Sequence, residues 1–229
     1  MSLDNHKGKA HAALRRMLWR GIILLFALLI GGAIAQLTTI IFSIAWGFVF
    51  FLWILFTLFT FWFFRDPEPH PPADPALIIS PAHGKVDFIG EYSGPEWMGP
   101  RCRRISIFLS IFDIHVQNAP IEGKVELLCH SPGQYLNAMN PESAVQNENV
   151  LIKMRDSAGK TIGIRLIAGL IARRIVPWVR EGEKIAKGER IGLIQFGSRV
   201  DLYLPLEAEI LIQQGEKVRG GETPLAKMQ

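Results

Sequence analysis

The chain has 229 residues, 49% of them hydrophobic, and a formal net charge of +4. This length allows one or two domains with a buried core, while the modest charge and the lack of a recognisable binding motif exclude nucleic acid as the expected partner. The two cysteines have no CxxC or Cys/His pairing at metal-ligand spacing, so no metal is expected.

The first predicted element is a transmembrane helical hairpin. From Gly21 to Phe64 the chain contains no Asp, Glu, Lys, Arg or His. Since one membrane span needs roughly 20 apolar residues, this block is long enough for two. We place the break between Gly31 and Thr39, where glycine, glutamine and threonine lower the hydrophobicity. A signal peptide is not expected, because no small-x-small cleavage site leads into a polar region.

The charges flanking this block predict its orientation. By the positive-inside rule, a basic segment before the first span and a basic residue after the second place both ends of the hairpin in the cytoplasm. The sequence therefore predicts a basic cytoplasmic N-terminus (1–20), a hairpin (21–64) and a following domain on the cytoplasmic face of the cell (inner) membrane. The basic residues are Lys7, Lys9, Arg15, Arg16 and Arg20, with Asp4 as the one acid before the block, and then Arg65.

A proline-rich connector leads into a predicted β domain. Residues 65–76 hold five prolines, and proline at this density predicts an extended, stiff segment. In residues 77–229, short alternating or apolar runs are broken by glycine, which is typical of antiparallel strands. We therefore expect a mainly β, antiparallel soluble domain that resembles a barrel-sandwich fold.

Two short repeats support this fold. GEKIAKGE (182–189) resembles GEKVRGGE (215–222), and HGKV (83–86) resembles EGKV (122–125). Glycine at matched positions of a repeat predicts a turn with positive φ. The repeats therefore predict paired hairpins.

Three places combine reactive side chains with tight turns. His83 lies in ISPAHGKV, Asp113 and His115 lie in IFDIHVQNAP, and Ser198 follows Gly197 in FGSRVDLYLP. Taken alone, a Gly-Ser pair at a strand end is an ordinary turn in most proteins, and a lone histidine in a β segment is usually structural. Their combination and order along the chain are more informative.

Five segments follow one another in the order FFRDPEP, ISPAxGKV, DxHVxxAPxxGKV, IAGLIARRI and RIGLIQFGSRVDLYLP. In this order, from about Phe63 to Pro205, they resemble the short, membrane-anchored form of the phosphatidylserine decarboxylase proenzymes. FGSRVDLYLP is the most specific part. Because a phospholipid stays in its bilayer, an anchored enzyme agrees with this resemblance.

The resemblance implies that the protein cuts its own Gly197–Ser198 bond. Ser198 Oγ attacks the carbonyl carbon of Gly197, the resulting ester eliminates to dehydroalanine, and hydrolysis leaves ammonia and a pyruvoyl cofactor. The products are a β chain (1–197) and an α chain (198–229), which stay partners. Glycine permits the strained geometry that this attack needs.

The same resemblance implies the reaction. The pyruvoyl carbonyl forms a Schiff base with the amine of phosphatidylserine, which lies in the membrane, so that CO2 leaves and phosphatidylethanolamine results. His115 is the candidate for delivering a proton to the substrate Cα. Whether the chain forms a homodimer is left open.

The chain departs from the family pattern at His83, where the family has an aspartate that helps to activate the serine. A neutral imidazole can act as a base but supplies no fixed negative charge. Two interpretations stay open: His83 slows or blocks self-cleavage, or it replaces the aspartate as base. The alternative to an enzyme is a non-catalytic, membrane-tethered module that binds lipid or protein. The expected catalytic residues are Ser198, His115 and His83.

Overall fold

A computed structural model describes residues 4–93, 96–136, 146–169, 174–195 and 198–228. The predicted cleavage partner Gly197 and residues 170–173 of the IAGLIARRI segment lie outside these ranges. Two compact units are present, Met1–Phe59 and Thr60–Gln229. In the described residues the elements are α1 (Asp4–Phe63), β1 (Leu77–Ile79), β2 (Gly84–Tyr92), a 3-10 turn (Glu96–Met98), β3 (Cys102–Leu109), β4 (Val116–Asn118), β5 (Gly123–Ser131), β6 (Asn149–Arg155), β7 (Thr161–Ala168), β8 (Ile175–Pro177), β9 (Lys184–Ile185), β10 (Arg190–Ile194), β11 (Ser198–Leu204), β12 (Glu209–Ile210), β13 (Lys217–Val218) and β14 (Pro224–Lys227).

The apolar N-terminal block forms one continuous helix, α1, so the predicted hairpin is wrong. Two threonines in the expected break stay inside the helix, because Thr38 Oγ1 and Thr39 Oγ1 donate to the carbonyl of Ala35 at 2.8 and 2.9 Å. The block also has no Pro, Asn or Asp to end a helix. Within α1, residues Leu14–Phe63 are long and apolar enough to cross a membrane.

The second unit is built on an eight-stranded antiparallel sheet with the strand order β13-β2-β3-β11-β7-β6-β5-β9. Two three-stranded sheets, β1-β14-β12 and β4-β10-β8, complete it. The mainly β, antiparallel prediction is confirmed. The large sheet is an open half-barrel rather than a closed barrel. Its two end strands, β13 and β9, are short, and they pair with β2 and β5 rather than with each other.

The two sequence repeats correspond to a structural duplication. β13 pairs with the start of β2 and β9 with the start of β5, in equivalent registers. As a result, His83 and Glu122 occupy matched positions, each directly before the glycine that begins the long strand. The predicted positive φ is confirmed at four matched glycines, with angles of 88° at Gly182, 82° at Gly188, 96° at Gly215 and 76° at Gly221.

The central strand β11 is buried along its whole length. Because side chains alternate across a strand, Val200, Leu202 and Leu204 face the main hydrophobic core. Arg199 and Asp201 face the opposite side of the sheet and are also buried. The segment that begins at the predicted cleavage site therefore forms a strand that is buried along its whole length.

The proline-rich residues 65–76 form neither helix nor strand and belong to the second unit. Arg190 Nε lies 2.6 Å from a carboxylate oxygen of Asp66. Farther along, Lys187 Nζ donates to the carbonyl of Asp74 at 2.6 Å. These contacts attach the connector to β10 and to the turn before it.

Candidate functional site

Ser198 begins β11 and is paired with Leu109 on β3 and with Ala168 on β7. Its side chain is fully buried, and its Oγ has no hydrogen-bond partner among the described residues. A buried hydroxyl without a partner costs about 1 to 3 kcal/mol, and alanine would avoid that cost. Packing and hydrogen bonding among the described residues therefore do not explain a serine here.

His115 lies between the turn that follows β3 and the start of β4. Its Nδ1 is 2.9 Å from the carbonyl oxygen of Asp113, and its ring centroid is 4.3 Å from that of Phe63. A carbonyl only accepts hydrogen bonds, so Nδ1 carries the proton of the neutral ring and Nε2 is the basic nitrogen. Burial lowers the pKa of His115 to about 4, against the opposing effect of Asp113. The imidazole is therefore neutral at pH 7.

β10 brings His115 close to the segment that leads into Ser198. The amide of Ile194, the last residue of β10, donates to the carbonyl of His115 at 3.2 Å. Ile194 is four residues before Ser198, so the connecting chain spans at most about 14 Å. The structure thus places two of the three predicted site residues at one end of the sheet.

His83 lies at the same sheet end. It directly precedes β2, where Lys85 pairs with Phe108 of β3, while Arg199 of β11 pairs with Phe108 from the other side. Two strand spacings therefore separate the backbones of His83 and Ser198, roughly 10 Å. His83 is half-buried, and burial lowers its pKa more than Glu222 raises it.

Asp113 interacts electrostatically with both imidazoles. Its charge opposes the lowering of the pKa of both His83 and His115, so it is close to each of them. Its carboxylate also accepts from the amide of Ser110 at 2.8 Å. Among the residues that the structure describes, no three His, Cys, Asp or Glu side chains are grouped to hold a metal ion.

Sequence reasoning missed Asp201, a fully buried carboxylate on β11. Arg104 Nη1 lies 3.9 Å from its Oδ2, and Arg165 pairs with it across the sheet. Burial raises the pKa of Asp201, while Arg104, Arg199 and Arg165 act to lower it. The sequence did contain a sign of this buried carboxylate: one acid inside an apolar strand, with an arginine two residues earlier on the same face.

Gln117 also contacts the site. Its side chain is fully buried, and its Nε2 donates to the carbonyl of His115 at 2.6 Å. Within the described ranges, its Oε1 has no hydrogen-bond partner. Gln117 therefore fixes the main chain of His115 and leaves one buried acceptor unused.

These features define a mainly β protein with a buried hydroxyl, two imidazoles and a carboxylate at one end of its central sheet. Residues 56–226, most of the chain, match the profile of the family described as phosphatidylserine decarboxylase. The chain belongs to the phosphatidylserine decarboxylase family.

Three similar proteins are each named phosphatidylserine decarboxylase proenzyme. The protein of Syntrophus aciditrophicus is 49% identical over 169 residues, which cover 74% of this chain and 79% of the relative. That of Desulfotalea psychrophila is 44% identical over 178 residues, or 78% and 83% of the two chains. That of Symbiobacterium thermophilum is 38% identical over 171 residues, or 75% and 80%.

Proposed function

We propose that this chain is a membrane-bound, pyruvoyl-dependent decarboxylase that converts phosphatidylserine to phosphatidylethanolamine and CO2. The observation that carries this proposal is the buried Ser198 hydroxyl, which has no hydrogen-bond partner among the described residues. It belongs to FGSRVDLYLP, the most specific of the segments that resemble the family. The names of the three relatives support the substrate.

In the proposed maturation, Ser198 Oγ attacks the carbonyl carbon of Gly197, and the acyl group moves from nitrogen to oxygen. His83 accepts the hydroxyl proton, because burial lowers its pKa and leaves a neutral ring at pH 7. The negative charges of Glu222 and Asp113 favour the protonated ring that results. Elimination releases the β chain carboxylate, and hydrolysis of the dehydroalanine at position 198 gives ammonia and the pyruvoyl group.

The surroundings of position 198 fit such a group. The pyruvoyl ketone supplies an electron sink for the bond to the departing carboxylate. Leu109 and Ala168, which flank position 198 on the neighbouring strands, keep water away from it. His115 Nε2 carries no proton in the neutral ring at pH 7, so it would accept one from solvent during turnover and pass it to the substrate Cα.

The membrane brings enzyme and substrate together. Residues Leu14–Phe63 are long and apolar enough to cross a bilayer. A single crossing would put the two ends of α1 on opposite faces, so the cytoplasmic placement that a hairpin implied does not carry over to a continuous helix. We propose that α1 holds the second unit at a membrane surface, where it reaches the serine head group.

Ser198→Ala tests this function, with the buried serine Ser106 of β3 as a matched control. The unchanged chain should yield an α chain of residues 198–229 with a blocked N-terminus by intact mass, and should release CO2 from phosphatidylserine. Ser198→Ala should stay whole and inactive, since it lacks the nucleophile, while Ser106→Ala should still be cut. An unchanged chain that stays whole and releases no CO2 would overturn the proposal.

A second experiment isolates the role of His83. His83→Gln removes the base, so self-cleavage should slow by about 100-fold or more, whereas His83→Asp should still be cut. The rate is measured as the appearance of the α chain after synthesis in vitro. Equal rates for His83→Gln and the unchanged chain would show that His83 is not the base. If His83→Asp is cut while the unchanged chain and His83→Gln stay whole, His83 blocks maturation.

A further inference from the structure

Exposed apolar side chains of the second unit are concentrated beside the end of α1. The turn between β3 and β4, residues 110–113, carries Ile111 and Phe112, whose side chains are 36% and 65% exposed. Five of the seven large apolar residues exposed in the described part of Thr60–Gln229 belong to this turn or to the helix end. The seven are Phe61, Trp62, Phe64, Ile111, Phe112, Trp178 and Leu211.

The 110–113 turn has a fixed shape. The Asp113 carboxylate accepts from the Ser110 amide at 2.8 Å and from the Ser110 hydroxyl at 2.7 Å. The Asp113 amide donates back to the Ser110 carbonyl at 3.0 Å. These bonds close the turn at its base, so Ile111 and Phe112 are held outwards at its tip.

Arg65 ties this turn to the end of the apolar helix. Its Nη2 donates to the carbonyl of Phe112 at 2.6 Å and its Nη1 to the carbonyl of Trp62 at 2.7 Å. Its guanidinium also lies 4.2 Å from the centre of the Trp62 ring. Tryptophan and arginine are the side chains that accumulate where a helix leaves the bilayer. A membrane interface at the end of α1 would therefore be at the level of this turn as well.

We propose that Ile111 and Phe112 insert into the interfacial layer of the bilayer that holds α1, as a second membrane contact. The bilayer is the occupant because these side chains continue the apolar surface of the helix end, to which Arg65 joins them. This inference rests on one part of the proposed function, namely that the protein is bound to a membrane. Leu109, which pairs with Ser198, directly precedes the turn and His115 follows it, so insertion sets the site at the level of the lipid head groups.

Fluorescence quenching tests this contact without relying on activity. Phe112→Cys in the full chain with Cys129→Ser is labelled with an environment-sensitive dye and reconstituted in phosphatidylcholine and phosphatidylglycerol vesicles at about 3:1. Lipids spin-labelled near the head group should quench the dye at position 112. They should leave a dye at exposed Ser157→Cys, on the turn between β6 and β7, unquenched. Equal quenching at both positions, or quenching that depends on protein concentration rather than lipid, would overturn the proposal.

Kinetics provide a second test. Ile111→Ser combined with Phe112→Ser should raise the KM for phosphatidylserine in vesicles about tenfold, because the membrane contact loses its apolar area. The KM for dispersed short-chain phosphatidylserine should stay the same. Trp178→Ser, an exposed apolar position outside the cluster, is the control and should change neither. An equal rise for both substrates would indicate a damaged site and contradict a membrane contact.

Discussion

Ser198 and His115 are both buried polar residues, but their hydrogen bonding differs. His115 has a partner for Nδ1 in the carbonyl of Asp113, and Gln117 donates to its main chain. The hydroxyl of Ser198 has no such partner in the described ranges. The site before cleavage therefore has a fixed, neutral imidazole and a serine whose hydroxyl is not stabilised in its resting state.

The low pKa of His115 makes the stability of the protein depend on pH. In the folded state its pKa is about 4, below the usual 6.5 of an unfolded chain. The unfolded state therefore binds the proton first, so this contribution is complete above pH 6.5 and falls as the pH drops towards 4. Between pH 7 and pH 4 it should lower the free energy of unfolding by about 3 kcal/mol.

Urea unfolding in detergent measures this effect in chains that carry Ser198→Ala, so that all molecules are intact. His115→Gln should lose the pH-dependent part, since glutamine does not titrate. The exposed His130→Gln serves as the control and should keep the dependence of the parent. A parent and a His115→Gln chain with the same slope between pH 7 and pH 4 would contradict the buried, neutral imidazole.

Local pattern predicts Ser198 and His115 as site residues but not the geometry around them. Both lie in segments with a distinctive residue order, and the family carries that order. The pairing of Ser198 with Leu109 and Ala168 joins strands far apart in sequence, and no local pattern sets that register. Asp201 was missed for a similar reason, because two of the three arginines around it, Arg104 and Arg165, come from other strands.

At the scale of elements, the helix α1 shows what composition alone leaves open. The apolar block predicted a membrane segment, but glycine and threonine did not mark a turn. A threonine hydroxyl can bond to a carbonyl three or four residues earlier, as Thr38 and Thr39 do with Ala35, so the polarity that suggests a break is satisfied inside the helix. By contrast, positive φ was predicted correctly at the four matched glycines of the longer repeat, whereas in the HGKV and EGKV pair Gly84 has a φ of 155° and Gly123 has no positive φ.

The continuity of α1 can be measured with spin labels at Leu25→Cys and Phe42→Cys in a Cys129→Ser chain. In a continuous helix these positions are about 26 Å apart, whereas a hairpin with its break between them would place them about 10 Å apart. Pulsed electron paramagnetic resonance in lipid should give the longer distance. Labels at Phe42→Cys and Phe59→Cys have the same spacing in sequence and provide the matched distance. A clearly shorter value for the first pair would contradict the continuous helix.

At the scale of the whole molecule, the proposed cut does not separate two domains. The α chain (198–229) supplies the central strand β11 and the edge strand β13 of the large sheet, and it also supplies β12 and β14. The β chain supplies their neighbours, including β3 and β7 on the two sides of β11. Strand pairing and a shared core therefore hold the α chain without a covalent bond.

The charges around Asp201 should contribute to this retention. Asp201→Ala leaves Arg104 without the buried carboxylate that lies 3.9 Å from its Nη1, and breaking a buried ion pair costs about 3 kcal/mol. The exposed Glu207→Ala is the control on the same chain. After cleavage, size-exclusion chromatography in increasing urea should release the α chain of Asp201→Ala at a lower concentration than that of the unchanged protein or of Glu207→Ala. Release of all three at the same urea concentration would show that strand pairing and the core hold the α chain without help from this ion cluster.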